Sequence, residues 1–170
     1  MTKWRPMATH KAPRQPDTTT PEAQLAEAEL HHITGYQLAQ ASIVTAQVFI
    51  ERVGKQFELR PVEFTVLMLI ADNPGVSSRQ LSRALAMTPP NITMWVDKLV
   101  ERNLVTRERS ATDGRAQHLS TTPAGETLAR QACQVLRDAE REALGAALSS
   151  AEQAMLIELL HKLACCRTDD

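Results

Sequence analysis

Apolar positions recur along this chain in two periods, and the points where one period gives way to the other divide it. From Pro61 to about Asp72, Phe64, Leu67, Met68 and Ala71 fall on one stripe of a 3.6-residue helix, which Asn73-Pro74-Gly75 ends. Leu81 and Leu85 repeat at i, i+4 in a shorter helix from about Ser78 to Ala86, opened by a capping box of Ser77 with Gln80 and a staple of Val76 on Leu81. Thr88-Pro89 then starts another helix, with Thr88 as N-cap, Pro89 where no N–H is needed, and Met87 stapled to Ile92. Ile92, Val96, Leu99 and Asn103 form its apolar stripe, and Asn103 suits the left-handed residue that closes a helix. The period then changes to two: Leu104–Arg109 and Ala116–Thr121 alternate around a polar Asp113-Gly114 tip, the pattern of a β-hairpin. Two short capped helices joined by a tight turn and followed by a hairpin make a winged helix-turn-helix.

The flanks read as helix alone. Thr20-Pro21-Glu22 predicts the start of a long helix to about Gly54, with a break allowed at Gly35. Leu25, Ala28, Ile33, Leu38, Ala41, Ile43, Val44, Val48, Phe49, Ile50 and Val53 would cover most of its circumference, leaving a narrow polar strip of Gln37, Gln40, Gln47 and Glu51. A helix apolar nearly all round has to be covered on more than one side, for which a partner subunit is the natural source. Thr122-Pro123 caps a helix to about Ala147, and the capping box Ser149-Ser150-Ala151-Glu152 opens a last one bearing Met155, Leu156, Leu159, Leu160 and Leu163. The expected fold is mainly α with a small β-hairpin wing. Residues 60–121 form the winged helix-turn-helix, 21–58 and 123–165 form helices of a dimerisation layer, all within one domain over 21–170, and 1–20 form a disordered basic arm.

The residues Leu67, Val76-Ser77, Leu81, Val96-Asp97-Lys98-Leu99, Leu104-Val105, Arg107, Asp113-Gly114-Arg115 and Thr122-Pro123-Ala124-Gly125 resemble the core of MarR-type (multiple antibiotic resistance regulator) transcription factors, over roughly Gln37 to Leu160. The resemblance implies a homodimer of winged helices on a pseudo-palindromic operator in double-stranded DNA, commonly a repressor released by a small aromatic or phenolic ligand or by oxidation. Three positions depart from the family pattern. Asn103 stands where glycine is usual, Gly114 replaces a common second wing arginine, and Thr121 replaces a usual Leu.

Composition modifies this picture little. The chain has 170 residues, 43% of them hydrophobic and 23% charged, with a formal net charge of −1, so it is not a globally basic nucleic-acid binder. Residues 60–120 carry eight Lys/Arg against six Asp/Glu, whereas 121–170 carry five against eight, which leaves the reading module the more basic part. No apolar run approaches the roughly 18 residues of a membrane span, and the start of the chain has no signal-peptide core. Three cysteines, Cys133, Cys165 and Cys166, suit a reduced, cytoplasmic setting rather than a disulfide framework.

The candidate DNA contacts are Ser77, Ser78, Arg79, Thr88, Pro90, Asn91, Thr93, Met94 and Lys98 from the two helices, with Arg107, Arg109, Asp113 and Arg115 from the hairpin. Asn, Thr and Lys near a helix start can address base edges, and Arg115 beside the tip can enter a minor groove. Asp113 repels phosphate, so its role is to hold the hairpin through the tip backbone, Arg109 or Arg115. His32, Tyr36, Met68 and Trp95 are candidates to line a crevice for the aromatic effector that the resemblance implies, although Trp95 and Met68 also fit plain core. His31 and His32 with Glu27 have a spacing that could hold a metal, but no third ligand is evident, so no cofactor or metal is expected. Cys133 falls on a core-facing stripe, and no cysteine lies near the first helix start, where the family's peroxide sensors carry theirs. No catalytic motif is present, so an enzyme is not expected. The alternatives are a winged helix used for protein contact alone and a metal- or redox-responsive regulator.

Overall fold

The computed structural model describes residues 19–109 and 117–167, and it divides into two compact units between Ile43 and Val44. In the first unit the helix expected from Pro21 does not form. The Thr20 hydroxyl accepts from Leu25 N (3.0 Å) and donates to Glu22 O (2.5 Å), a bridge joins Thr19 to Ala26, and Ala23 and Gln24 take left-handed φ of 63° and 53°. A short hydroxyl side chain that bonds its own neighbours offers the backbone an alternative to helix, and here the alternative wins. Helix α1 begins at Thr34 and runs to Phe49. Buried Glu27, 7% exposed, accepts a 2.6 Å bond from the Tyr36 hydroxyl, and Gln37 Nε2 donates to His31 O (2.9 Å), which fixes the preceding turns to the first turns of α1.

The second unit carries the remainder. A π-helical turn, Ile50–Gly54, continues α1 and leads into one turn of helix, α2 (Lys55–Phe57). Glu58 then reverses the chain at a left-handed φ of 53°, held by Arg102, whose guanidinium donates to Glu58 O (2.8 Å) and Phe57 O (3.0 Å). Helix α3 (Pro61–Asp72) has the expected bounds, with Arg60 N donating to Glu63 Oε2 (2.8 Å) at its start. Strand β1 (Val76–Ser77), α4 (Ser78–Leu85), α5 (Pro89–Glu101), β2 (Val105–Arg109), β3 (Gln117–Thr121), α6 (Pro123–Gly145) and α7 (Ser150–Ala164) follow.

The sheet is antiparallel in the order β1-β3-β2, with β2 and β3 in register from Val105 opposite Thr121 to Arg109 opposite Gln117. Strand β1 pairs Val76 with Leu119, so Val76-Ser77 serves as sheet edge as well as helix start. His118 Nδ1 donates to Gly75 O (2.8 Å) beside that pair. The core lies between α3, α4, α5 and the sheet: Val66, Leu67, Ile70, Leu81, Ile92, Val96, Leu99 and Leu119 are at most 1% exposed. Helix α6 adds Ala129 and Ala132 to this core and packs on α3, so the front of its apolar stripe is spent within the chain rather than on a partner. Cys133 is half-buried, not core, with Arg137 Nη2 donating to its Sγ (3.4 Å). Helix α7 buries none of its residues, and Met155, Ile157 and Leu159 are 54%, 70% and 53% exposed. No single described helix is long and apolar enough to cross a membrane.

Candidate nucleic-acid interface

Helices α4 and α5 are joined by a turn whose chemistry is local. Ala86 takes a left-handed φ of 49°, Met87 N closes onto Ser82 O (3.0 Å), and Thr88 occupies the extended N-cap position with Pro89 after it. The Thr88 hydroxyl makes no capping bond, in contrast to the expectation, and the cap rests on its carbonyl, which receives Ile92 N (3.2 Å). At the other end Asn103 adopts φ 55°, the left-handed closing residue expected there, and Leu104 N returns to Leu99 O (2.9 Å).

With Ile92, Val96 and Leu99 buried, α5 turns Pro90, Asn91, Thr93 and Met94 outward, and all four are exposed. Together with Pro89, Asp97, Lys98 and Glu101, three of them (Pro90, Thr93 and Met94) line an open hollow of about 670 Å³. The Thr93 hydroxyl donates back to Pro89 O (3.0 Å), and Lys98 Nζ rests 4.4 Å from the centroid of the Trp95 ring. In α4, Arg79 is exposed and Ser78 half-buried. Ser77 has internal work: its hydroxyl donates to Gln80 Oε1 (2.8 Å) and accepts from Gln80 N (3.3 Å), the capping box expected from the sequence.

The hairpin is fastened to this face from the inside. Arg107 on β2 forms an ion pair with Asp97 on α5, so its charge is shared with a carboxylate. Arg109 ends the β2 ladder opposite Gln117. Asp113 and Arg115 lie outside the described residues. Behind the hairpin, Thr122 Oγ1 donates to Asn103 O (2.8 Å) and accepts from Gly125 N (2.9 Å), while Thr122 N donates to Leu104 O (3.0 Å). Gly125 approaches so closely that a Cβ there would stand 1.9 Å from Leu104 O. The glycine of the Thr-Pro-Ala-Gly run is thus a packing requirement between the end of α5 and the start of α6.

The four residues expected at an effector crevice divide between the two units. In the first, His32 is exposed and stacks edge-on to His31 at 5.2 Å, while Tyr36 is committed to Glu27, which raises the phenol pKa chiefly through that hydrogen bond. His31 Nδ1 lies 3.5 Å from Glu27 Oε1, so the group that completes the His31–Glu27 pair is a phenol. Among the described residues no cluster of three His, Cys, Asp or Glu side chains could hold a metal ion. In the second unit Met68 packs half-buried against the core, as its plain reading had it. Trp95 is half-buried too, with Lys98 over its ring and Arg60 at 5.8 Å. Arg60 and Arg102 were not singled out in the sequence. With Lys98, Gly54, Glu58, Leu59, Glu63 and Glu101 they line a cavity of about 410 Å³. Only Arg60, as the residue before the Pro61 helix start, carried a local signal, since the others are assembled from distant segments.

Comparison with known proteins places this geometry. Residues 57–116 match the model of the MarR family. A candidate transcriptional regulatory protein for the hcr operon of Thauera aromatica is 32% identical over 142 residues, 83% of this chain and 84% of that protein. An HTH-type transcriptional repressor of Mycobacterium tuberculosis is 33% identical over 101 residues, covering 59% of this chain and 72% of that one. Among solved structures, the transcriptional repressor CouR bound to a 23-mer DNA duplex superposes with a TM-score of 0.76 at 27% identity, over 84% of this chain and 99% of its own. The chain belongs to the MarR family of winged helix-turn-helix transcriptional regulators, DNA-binding proteins that are not enzymes.

Proposed function

We propose that this regulator binds a pseudo-palindromic operator as a homodimer, represses from it in the cytoplasm, and is released by a small aromatic or phenolic ligand. The observation that carries the DNA part is the outward face of α5, where Asn91, Thr93 and Met94 stand exposed above a buried Ile92, Val96 and Leu99. In this reading they address base edges, with Lys98 beside them. Ser78, Arg79, Thr88 and Arg109 serve the phosphates, and Arg115 is assigned to a minor groove. Ser77 and Arg107 act through structure, the first as a cap and the second through Asp97.

The homodimer is supported by α7, whose apolar residues the described part of the chain leaves largely uncovered: six large hydrophobics from Met155 to Leu163 are exposed. A helix so exposed costs solubility unless a second surface meets it. Two α5 helices brought together in this way would enter successive major grooves about 10 bp apart. Repression is the role of the similar repressor from Mycobacterium tuberculosis and of CouR, and is carried over to this chain on that likeness. Ligand release finds support in the open cavity lined by Arg60, Lys98 and Arg102, set among Glu58, Glu63 and Glu101, whose cations are the groups that the carboxylate of an aromatic acid would pair with. His32 and Tyr36 keep their place as further candidates.

Light scattering and binding to the gene's own upstream region test the reading together. The expected result is a dimer that prefers that region over random duplex and loses affinity steeply with salt. Leu159→Asp should yield a monomer with weakened binding. Equal affinity for both duplexes, or a monomeric wild type, overturns the proposal. A screen of small aromatic carboxylates should return compounds that both raise Tm and lower operator affinity.

A further inference from the structure

The base-reading chemistry of α5 is unusually one-sided. Pro89–Glu101 contains no Arg and no Gln, and its single cation, Lys98, holds its ammonium over the Trp95 ring at 4.4 Å. The bidentate fork that most often reads guanine O6 and N7 is therefore missing from the helix. Much of what the helix exposes is apolar: Pro89, Pro90 and Met94, the last 42% exposed, border the open hollow on its outer side. Thr93 adds a side chain whose hydroxyl proton is already given to Pro89 O. Of the two acids on that hollow, Asp97 is engaged by Arg107. Glu101, in the last residue of the helix, is exposed. Asn91 lies three residues before Met94, on the same helix face about 5–6 Å away. An amide can pair with adenine N6 and N7, and an apolar side chain can cover the C5-methyl that thymine alone presents.

We infer that α5 reads an A·T step, Asn91 taking the adenine edge and Met94, flanked by Pro90, covering a thymine methyl on the same or the next base pair. The inference rests on the DNA-binding reading above and adds to it which bases the helix prefers. Lys98 contributes charge near the groove without competing for guanine, because Trp95 keeps its ammonium against the ring.

The test uses the full-length protein and a library of random duplexes. Repeated selection should enrich half-sites with A·T pairs at the step that Asn91→Ala leaves unspecified. The enriched duplex is then made with deoxyuridine in place of thymine at that step, which deletes one methyl from the major groove and leaves phosphates and minor groove untouched. Affinity should fall about fourfold per half-site, the equivalent of about 0.8 kcal/mol for one buried methyl. Met94→Ala should bind the two duplexes equally. If that variant fails to fold, the deoxyuridine arm with unaltered protein decides alone. G·C pairs at the α5 step, or an unchanged affinity for the deoxyuridine duplex, overturns the inference while leaving operator binding intact. A library that enriches no sequence removes the DNA-specific reading and this inference with it.

Discussion

Replacing Gly125 by Ala should destabilise the protein although the site is helical. In an open first turn of a helix such a change gains up to about 1 kcal/mol, because glycine loses the most backbone freedom on folding. At 125 the new Cβ would meet Leu104 O at 1.9 Å and Leu104 C at 2.8 Å, both backbone atoms that no rotamer change can remove. Ordinary contact begins near 3.4 Å, so α6 would have to retreat by about 1.5 Å. That retreat stretches the Thr122 N to Leu104 O bond and the Thr122 Oγ1 to Asn103 O bond, each worth about 1 kcal/mol. Adding overpacking of about 1–3 kcal/mol and subtracting the helical gain gives a net loss of about 3 kcal/mol. For a chain of this size that lowers Tm by roughly 6–12 °C. Circular-dichroism melts at one fixed protein concentration would measure it, with Gly145→Ala as control, since a Cβ there meets only Gln153 Nε2 at 3.9 Å. An unchanged or higher Tm for Gly125→Ala would refute the close approach.

Two further outcomes follow from electrostatics. Burial raises the pKa of Glu140 above its ordinary value of 4.5, so its protonated form is favoured by folding; the stability is full below 4.5 and is lost as pH rises through that value toward the folded pKa. Glu140→Gln should accordingly melt higher than wild type at pH 7 and no higher below pH 4.5, and parallel melts at both pH values check this. A double-mutant cycle on Asp97→Ala and Arg107→Ala should give a stability coupling of about 0.2–1 kcal/mol, because the pair is partly solvated, with side chains 46% and 27% exposed. No coupling in denaturant titrations would mean that the hairpin is not held to α5 through this pair.

The parts of the fold that sequence reveals are those whose signals are local. Helix α3 begins at a Pro and ends at Asn-Pro-Gly; α4 has a two-sided capping box; α5 closes on a residue that tolerates positive φ, and all three form at the expected positions. Strand β1 escaped because two residues cannot show alternation, and its partner Leu119 lies 43 residues on. The start of α1 was misplaced for a competitive reason. Thr20 and Pro21 are a valid helix start, but the Thr20 hydroxyl found Leu25 and Glu22 first, and Glu27 was drawn to Tyr36 nine residues away. The π-helical turn at Ile50–Gly54 has no sequence mark in this chain. At the candidate interface, Asn91, Thr93 and Met94 were legible from helical spacing alone. The engagement of Arg107 by Asp97, and of Lys98 by Trp95, was not, because both depend on which rotamer the neighbours leave open.

The stitch between Asn103, Leu104, Thr122 and Gly125 also has a mechanical meaning. Helix α6 is 23 residues long, about 34 Å at 1.5 Å per residue, and it is pinned at its first turn to the end of α5. Ala129 and Ala132 tie the next turns to the core, so any tilt of α6 about this pin is a stiff motion whose fulcrum lies at the end of α5. A sideways excursion of about 3 Å at the far end is a tilt of only about 5° at the pin. A displacement beyond Gly145 would thus reach the exposed face of α5 only as a small rotation, geared down along the length of α6. A displacement introduced close to Thr122 has no such reduction, and the few residues around that hydroxyl are where a small push would turn α5 most.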